Sequence, residues 1–503
     1  MFILQNVVDL YLEKNSALFV SFIDLKKAFD CTNHIALWFK LEQNKISSKI
    51  INVIKNMYDK MKLCVQNSLS SMPIQPCTCA NMLTNTCCQI CNSHSLNSLF
   101  IHPHAGVLQG ESLSPTLFSM FLNDINQTLQ VDANVGISIY QFYLALLLFA
   151  DDMVLFSDNR FGLQTGLDKI YEYCNNWGLI VNVEKTKCLV FKKNGRKNVL
   201  DKWFYNGEEI ETVSTFKYLG FVFSNTGKFS KGIENVVLQG QRALFNLYAN
   251  IIDFESMFIN MQFSLFDSLI SSVLLYGCEI WGFAEAKKIE TFHLSFLKHS
   301  LKVKKSTPNS FVYQECNRHP LYINRILRII GYWLKIIALD ENDPLKILYF
   351  TTIDVNKNDS FIKSNFWAIN VRNILYKNGF GYIWENQNLG ISKDFFRIFK
   401  TRLIDSFWQE NKIEIDSLST HRLFRHLDKC SNDYLVSMPN DLVRIALSRL
   451  RLGSHHLNIE RGRWHNIEYI DRKCCMCNDI EDEFHFVLIC PRFHEIRKKV
   501  FTL

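Results

Sequence analysis

The sequence lacks any apolar run long enough to cross a membrane. "YQFYLALLLFA" (140–150) stops at 11 residues, and "SLFDSLISSVLLYGCEIWGF" (264–283) is interrupted by Asp267 and Glu279. It also lacks a targeting signal: "MFILQNVVDLYLEKN" has no basic start, no long apolar core and no small-residue cleavage site. There is no strong charge of either sign, since 56 basic against 49 acidic residues leave +7, too weak an excess to establish a polyanionic partner. No internal repeat is apparent. These absences predict an intracellular, soluble chain. With 503 residues, 48% of them hydrophobic, the chain suits a folded protein of two to four domains rather than a disordered one.

What is present is unevenly placed. The 16 cysteines cluster, with Cys77, Cys79, Cys87, Cys88 and Cys91 in one short segment and Cys474, Cys475, Cys477 and Cys490 near the C-terminus. Clustered cysteines in a long chain without a secretory signal point to metal binding more than to disulfides. "ALFVSFID" (17–24) reads as a buried strand ending in Asp24. Helical spacing follows at 33–43 and 47–60, and again from Ser114, read as an N-cap with Pro115 in the first turn. The runs 142–149 and 153–157 predict a hairpin with Asp151 and Asp152 at its tip. Residues 162–176 read as helix, "CLVFKK" and "YLGFVF" as strands, "SNTG" (224–227) as a turn, and the chain from about 230 to 452 as mainly helical.

Adjacent acids usually form a solvated turn. Here they close an apolar run, and a second apolar strand also ends in an acid, Asp24. If the two strands lie side by side, three carboxylates meet, and they cannot all stay ionised without cations. Oxygen-only ligands favour Mg²⁺ or Mn²⁺, and two such ions would clamp the attacking and leaving oxygens of an in-line phosphoryl transfer.

Five motifs in a set order carry a resemblance. "FVSFIDLKKAFD" (19–30), "GVLQGESLSPTLFSMFLND" (106–124), "FADD" (149–152), "GLIVNVEKTKCLVF" (178–191) and "FKYLGFVF" (216–223) resemble the palm motifs of a reverse transcriptase from a non-LTR (LINE-like, Jockey-type) retrotransposon. "LLYGCEIWG" (274–282), "KKSTPN" (304–309) and "RLGSHHLNIERGRW" (451–464) resemble islands downstream of the polymerase in such elements. The resemblance implies an α+β fold, a right-hand polymerase palm with an antiparallel sheet and helices, followed by a helical thumb and connection and a small zinc knuckle. The implied domains are 1–228 (palm with partial fingers, interrupted by a cysteine-rich insertion at about 72–95), 229–300 (thumb), 301–460 (connection) and 461–503 (knuckle). It further implies RNA-directed DNA polymerisation on an RNA template, from dNTP to the 3′-hydroxyl of a DNA primer or target, and a nuclear location.

Carried over by position, Asp24, Asp151 and Asp152 are the implied ligands of the two ions, helped by the Leu25 carbonyl. Phe29 stands where an aromatic closes the sugar pocket and rejects a ribose 2′-hydroxyl, with core packing as its ordinary alternative. Gln109 and Gly110 lie against template and incoming nucleotide, where the missing side chain of Gly110 lets backbone approach. Lys185 faces the triphosphate and serves as a general acid, or is a plain surface lysine. Tyr218, Leu219 and Gly220 form the primer grip.

Cys474, Cys477, His485 and Cys490 have the spacing of a closed tetrahedral Zn²⁺ site and match the C-terminal knuckle of the family. Arg492, Arg497, Lys498 and Lys499 place positive charge beside it, suited to RNA phosphates or simply solvated. Two departures stand out. Only 23 residues precede Asp24, so the basic finger residues are missing and an N-terminally truncated copy is expected, with a catalytically dead nucleic-acid-binding remnant as the alternative. The segment 72–95 exceeds the family's connection; a second zinc site from Cys79, Cys87, Cys91 and His94 is conceivable there, but sequence decay or a misread intron is the preferred reading.

Overall fold

The computed structural model describes residues 1–61, 105–130, 135–139, 142–195, 201–251, 254, 257–284, 286–358, 366–387, 393–418, 424, 433–438 and 440–501. The cysteine-rich segment, with Cys79, Cys87, Cys91 and His94, therefore lies outside the described residues. The chain forms two compact units. A sheet unit comprises Leu18–Val190 and Lys197–Val213, and a helical unit comprises Met1–Ala17, Phe191–Arg196 and Ser214–Leu503. Among the described residues no helix is long and apolar enough to cross a membrane.

The sheet unit is α+β. Strands β1 (Leu18–Asp24), β2 (Leu146–Phe149), β3 (Asp152–Ser157), β4 (Lys187–Phe191) and β5 (Thr212–Val213) form one sheet in the order β2-β3-β1-β4-β5. Strands β2 and β3 are antiparallel, as are β3 and β1. The short β5 runs parallel to β4. In β1, Leu18, Val20, Ser21, Phe22 and Ile23 are all buried, so the strand reads as a run rather than an alternation. Helix Arg160–Trp177 covers β3 and β1. It comes close because Gly166 has no side chain: a Cβ there would lie 2.9 Å from Leu155 Cδ2.

The sheet unit also buries an ammonium against a half-buried carboxylate. Lys40, 1% exposed, binds both carboxylate oxygens of Asp124 and lies 3.0 Å from the Tyr173 hydroxyl, with its ammonium 3.7 Å from the Trp177 ring centre. Burying an ammonium is tolerable only with a paired charge and an electron-rich ring. Helix Ser114–Phe121 starts one residue away from expectation. Ser114 is its first helical residue, Leu113 is the N-cap, and the Ser114 hydroxyl donates to Glu111 at 3.3 Å instead of capping the backbone.

The helical unit packs around helix Leu321–Ile337, whose Ile329, Ile330 and Trp333 are fully buried. The Trp333 indole donates to the Tyr349 hydroxyl at 2.8 Å. Truncating a tryptophan buried this completely costs about 3–5 kcal/mol. Arg325 ties the helix to its neighbours, donating to the carbonyls of Gly282 and Ala284 and pairing with Glu290 at 3.1 Å. "YLGFVF" is not one strand but spans the turn of a hairpin of β6 (Thr215–Tyr218) and β7 (Phe221–Ser224). Its turn is Leu219 at φ +47 and Gly220 at φ +82; two successive left-handed residues suit the native strand twist. Sequence alternation ran straight through that turn because both flanks are aromatic.

Candidate active site and metal centre

The acid pair sits at a two-residue turn. Phe149 is the ladder partner of Asp152, leaving Ala150 and Asp151 between the strands. Ala150 adopts φ +53, a left-handed conformation uncommon for a residue other than glycine, asparagine or aspartate. Asp152 is thus the first residue of β3 rather than part of the tip.

The register of β1 on β3 makes Asp24 the direct partner of Asp152. Opposed residues of an antiparallel pair lie about 4.5–5.5 Å apart at Cα and point to the same face. The electrostatics agree with that closeness. Burial pushes the Asp152 carboxyl above the ordinary carboxylate range, and the charges of Asp151 and Asp24 push it further. The only cation that ion-pairs with the trio among the described residues is Lys185, whose Nζ lies 3.6 Å from Asp24 Oδ2 while its side chain is 71% exposed. A cluster of this kind holds more negative charge than its protein partners neutralise, which fits divalent cations.

The segment after Asp24 is fixed from the side. The Asn182 amide donates to the Asp24 carbonyl at 2.8 Å, the Lys26 amide to the Ile180 carbonyl at 2.7 Å, and Leu25 bridges Val181. The Asp24 amide donates to Thr186 Oγ1 at 3.3 Å. Thr186 is a positioning residue that sequence reasoning passed over, although it directly follows Lys185. "GLIVNVEKT" is therefore the brace of Asp24 as well as the carrier of Lys185.

Phe29 and the 106–110 segment share a neighbourhood. The Phe29 ring stacks on Phe118 at 5.0 Å and 27°, and the Phe29 carbonyl accepts from the Val107 amide at 2.7 Å. Gly106 cannot be replaced sterically, since a Cβ would meet the Asp30 carbonyl at 2.8 Å. Gln109 Nε2 donates to Asp30 Oδ1 at 3.1 Å. Gly110 is held at φ +89, and among the described residues no atom beyond its chain neighbours lies within 4 Å of a built Cβ. Its backbone conformation calls for glycine, and no described residue fills the space beside it.

In the helical unit the 218–220 turn is pinned from outside the hairpin. The Tyr276 hydroxyl donates to the Leu219 carbonyl at 2.6 Å, and its ring lies 3.0 Å from where a Gly220 Cβ would be. Tyr218 is buried.

A second cluster lies near the C-terminus of this unit. One ligand atom each from Cys474, Cys477, His485 and Cys490 all fall within 4.8 Å of one another. Cys474 Sγ is 3.9 Å from Cys490 Sγ, and Cys477 Sγ is 3.2 Å from His485 Nε2. With Zn–S bonds of about 2.3 Å, a tetrahedron has sulfur–sulfur edges of about 3.8 Å, so the donor set fits a tetrahedral ion. Burial pushes the Cys474 thiol up, but hydrogen bonds from the Met476 and Cys477 amides and from His485 outweigh it and bring it down to about 7. Cys475 is exposed and takes no part. Arg497 donates to the Cys490 carbonyl and so tethers the last helix to the site.

Residues 3–223 match the family described as reverse transcriptase (RNA-dependent DNA polymerase). The Pol polyprotein of the type-2 retrotransposable element R2DM of Drosophila melanogaster is 27% identical over 235 residues, 44% of this chain and 19% of that protein. The RNA-directed DNA polymerase from mobile element jockey of the same fly is 23% identical over 270 residues, 52% of this chain and 26% of that protein. A type-1 element R2 polyprotein of Popillia japonica is 22% identical over 339 residues, 65% of this chain and 43% of that protein. The chain thus spans less than half of each of these relatives. An apo telomerase from Candida tropicalis aligns over 80% of this chain and 56% of that chain at 14% identity, with a TM-score of 0.33 that is too low to place any residue.

Proposed function

We propose that this chain, whose residues 3–223 belong to the reverse transcriptase family and whose relatives are polymerases of non-LTR retrotransposons, copies RNA into DNA by nucleotidyl transfer at Asp24, Asp151 and Asp152. The observation that carries the reading is the pairing of Asp24 with Asp152 across two adjacent strands, with Asp151 beside them. Two Mg²⁺ or Mn²⁺ ions held by these carboxylates and the Leu25 carbonyl would supply activation of the primer 3′-hydroxyl and charge neutralisation at the pyrophosphate.

The protein's own groups do the rest. Lys185, already paired with Asp24, would swing its exposed ammonium to the triphosphate and give a proton to the leaving pyrophosphate. Phe29, steadied by Phe118, would deny room to a ribose 2′-hydroxyl. Gln109 and Gly110 would meet the template and the incoming dNTP, the missing side chain of Gly110 admitting them to the backbone. The Tyr218–Leu219–Gly220 turn would grip the primer, its shape kept by Tyr276. Cys474, Cys477, His485 and Cys490 would hold Zn²⁺ in a closed structural site. Nuclear residence follows from the class of element.

The test is primer extension by the full chain with Mg²⁺, primed RNA and dNTPs. Extension in the parent and its loss in Asp151→Asn support the proposal. A parent chain that binds the template yet extends nothing refutes it in favour of a nucleic-acid-binding remnant.

A further inference from the structure

Two sequence islands have no task in nucleotidyl transfer, "KKSTPN" and "RLGSHHLNIERGRW", and in the helical unit they build one surface. The Lys304 amide donates to Ser454 Oγ at 2.9 Å, Lys304 Nζ to the His455 carbonyl at 3.3 Å, and Arg449 Nε to the Lys302 carbonyl at 2.8 Å. A cavity of about 250 Å³ is lined by Ser306, Thr307 and Pro308 from the first island and by Glu460, Arg463 and Trp464 from the second.

Trp464 is the unusual member. It is 64% exposed, yet the helix that carries it, Asn458–Trp464, is firmly held. Arg472 lies across Gly462, where a Cβ would come within 2.5 Å of its Cγ. Its guanidinium donates to the carbonyls of Ile459 and Ile467. Asn458 is fastened to Glu481 and Lys473 at 2.8 Å each. The indole stands on a braced helix at the edge of a cavity. Ile467, Tyr469 and Ile470 a few residues on are exposed as well, so this stretch presents more apolar and aromatic surface than a single stray side chain, which suits a binding surface.

The surroundings say what binds. Lys304 Nζ lies 5.6 Å from the Trp464 ring centre. Among the described residues neither Lys305 nor Arg461 has an ion-pair partner, whereas Arg463 is already paired with Glu460 at 2.9 Å. A planar ring with Lys304 beside it, hydroxyls across the cavity, and the Glu460 carboxylate already neutralised by Arg463 suits a base and its phosphates better than the apolar anchor of a protein. Duplexes hide the faces of their bases, so only unpaired nucleotides can use such a platform. We infer that this surface binds single-stranded nucleic acid, with one base stacked on Trp464 and its phosphates on Lys304, Lys305 and Arg461. The inference does not depend on the carboxylate trio being active.

Fluorescence anisotropy on the full chain tests it, using labelled 12-nucleotide oligouridylate, the matching oligothymidylate and a blunt duplex. Trp464→Ala should weaken single-strand binding about ten-fold, and Trp464→Phe should restore most of it, because stacking survives in the smaller ring. Lys305→Ala with Arg461→Ala should lower the slope of log affinity against log salt by about 1.4. Loss confined to the uridylate identifies RNA as the ligand; equal loss in both strands identifies stacking blind to the sugar. Trp464→Ala binding as tightly as the parent, or losing duplex affinity equally, overturns the inference. So does a change in self-association alone, which would mark a protein-docking face. Ultraviolet cross-linking of a 4-thiouridine oligonucleotide, mapped by mass spectrometry in the parent and in Asp151→Asn, gives a readout free of folding artefacts. Cross-links within 302–308 or 451–464 are expected in both, and their absence sinks the surface whatever becomes of the polymerase.

Discussion

The carboxylate trio and the cysteine–histidine cluster are both sets of metal-type ligands, built in opposite ways. Asp24 follows Phe22 and Ile23 out of a buried strand, and its position is written in a six-pair ladder with β3 and in backbone bonds to Asn182 and Thr186. The backbone makes that site, and ligand charge strains it. The other cluster is tied to its neighbours by polar bonds, such as His455 to Glu483 and Asn458 to Glu481, but has little apolar packing of its own. Around it Met476, Leu488, Ile489 and Ile496 are exposed, while Cys474, His485 and Cys490 are buried together with Asp482 and Glu483. Here the ligands take the place of a core. The first site should keep its shape without metal, and the second should not.

The largest effect expected from that contrast is on the second cluster. Chelation, or Cys477→Ser, removes a binding energy that in small zinc modules is about 10–16 kcal/mol and serves as folding energy. Limited proteolysis read by mass spectrometry should show cleavage spreading through 464–501 after chelation, while the sheet unit's fragments stay intact. Equal loosening of both units would break the comparison. Next in size is Asp24→Asn or Asp151→Asn, each expected to lower primer extension on the order of 10³-fold, comparable to removing a principal transition-state contact. Circular dichroism of either variant should match the parent, because the ladder is made by backbone.

The two sites also differed in how well the sequence exposed them. Apolar runs ending in Asp24 and before Asp151 made the strands and their hairpin legible, but not the register, which moves Asp152 from the expected tip into the ladder opposite Phe149. The knuckle was legible from ligand spacing alone. What could not be read were features with no periodic signal. Ala150 takes a left-handed φ that glycine would have announced and alanine does not. Lys40 sits inside the sheet unit as an ammonium stabilised by Asp124, Tyr173 and Trp177, partners scattered over more than a hundred residues of sequence. The "YLGFVF" turn is hidden by aromatic residues on both flanks. Platform residue Trp464 fell inside a recognised island, but its exposure is a property of packing, which spacing does not encode.

A smaller effect separates charge from architecture within the first site. Lys185→Ala should reduce extension about 10²-fold, at the low end of the range for a lost general acid, and Lys185→Arg should recover binding of dNTP more than turnover. Its ion pair with Asp24 is largely exposed, so melting temperature should hardly move. Steady-state kinetics on primed RNA, with KM and kcat resolved, checks both halves.

The smallest effect is the most discriminating, because acid should act on the two clusters with opposite sign. The folded Asp152 carboxyl lies above its ordinary value through burial and the charges of Asp151 and Asp24. A raised folded value gives stability that is fully present below the ordinary carboxylate range and is lost as pH rises through the folded value. Metal-free Asp152→Asn should therefore melt about 2–4 °C higher than the parent at pH 8, with the gap closing below pH 4. Added Mg²⁺ should reverse the order at pH 8, since it stabilises the chain that binds it and not the variant that has lost a ligand. The cysteine cluster needs its ligands deprotonated, so acid releases its metal and loosens the 464–501 segment over a range in which the sheet unit is relieved of repulsion. Calorimetry of parent and variant at both pH values, with and without Mg²⁺, reads the first cluster, and proteolysis under the same conditions reads the second. An Asp152→Asn advantage that ignores pH would mean that packing, not repulsion among the three carboxylates, sets the stability of the site.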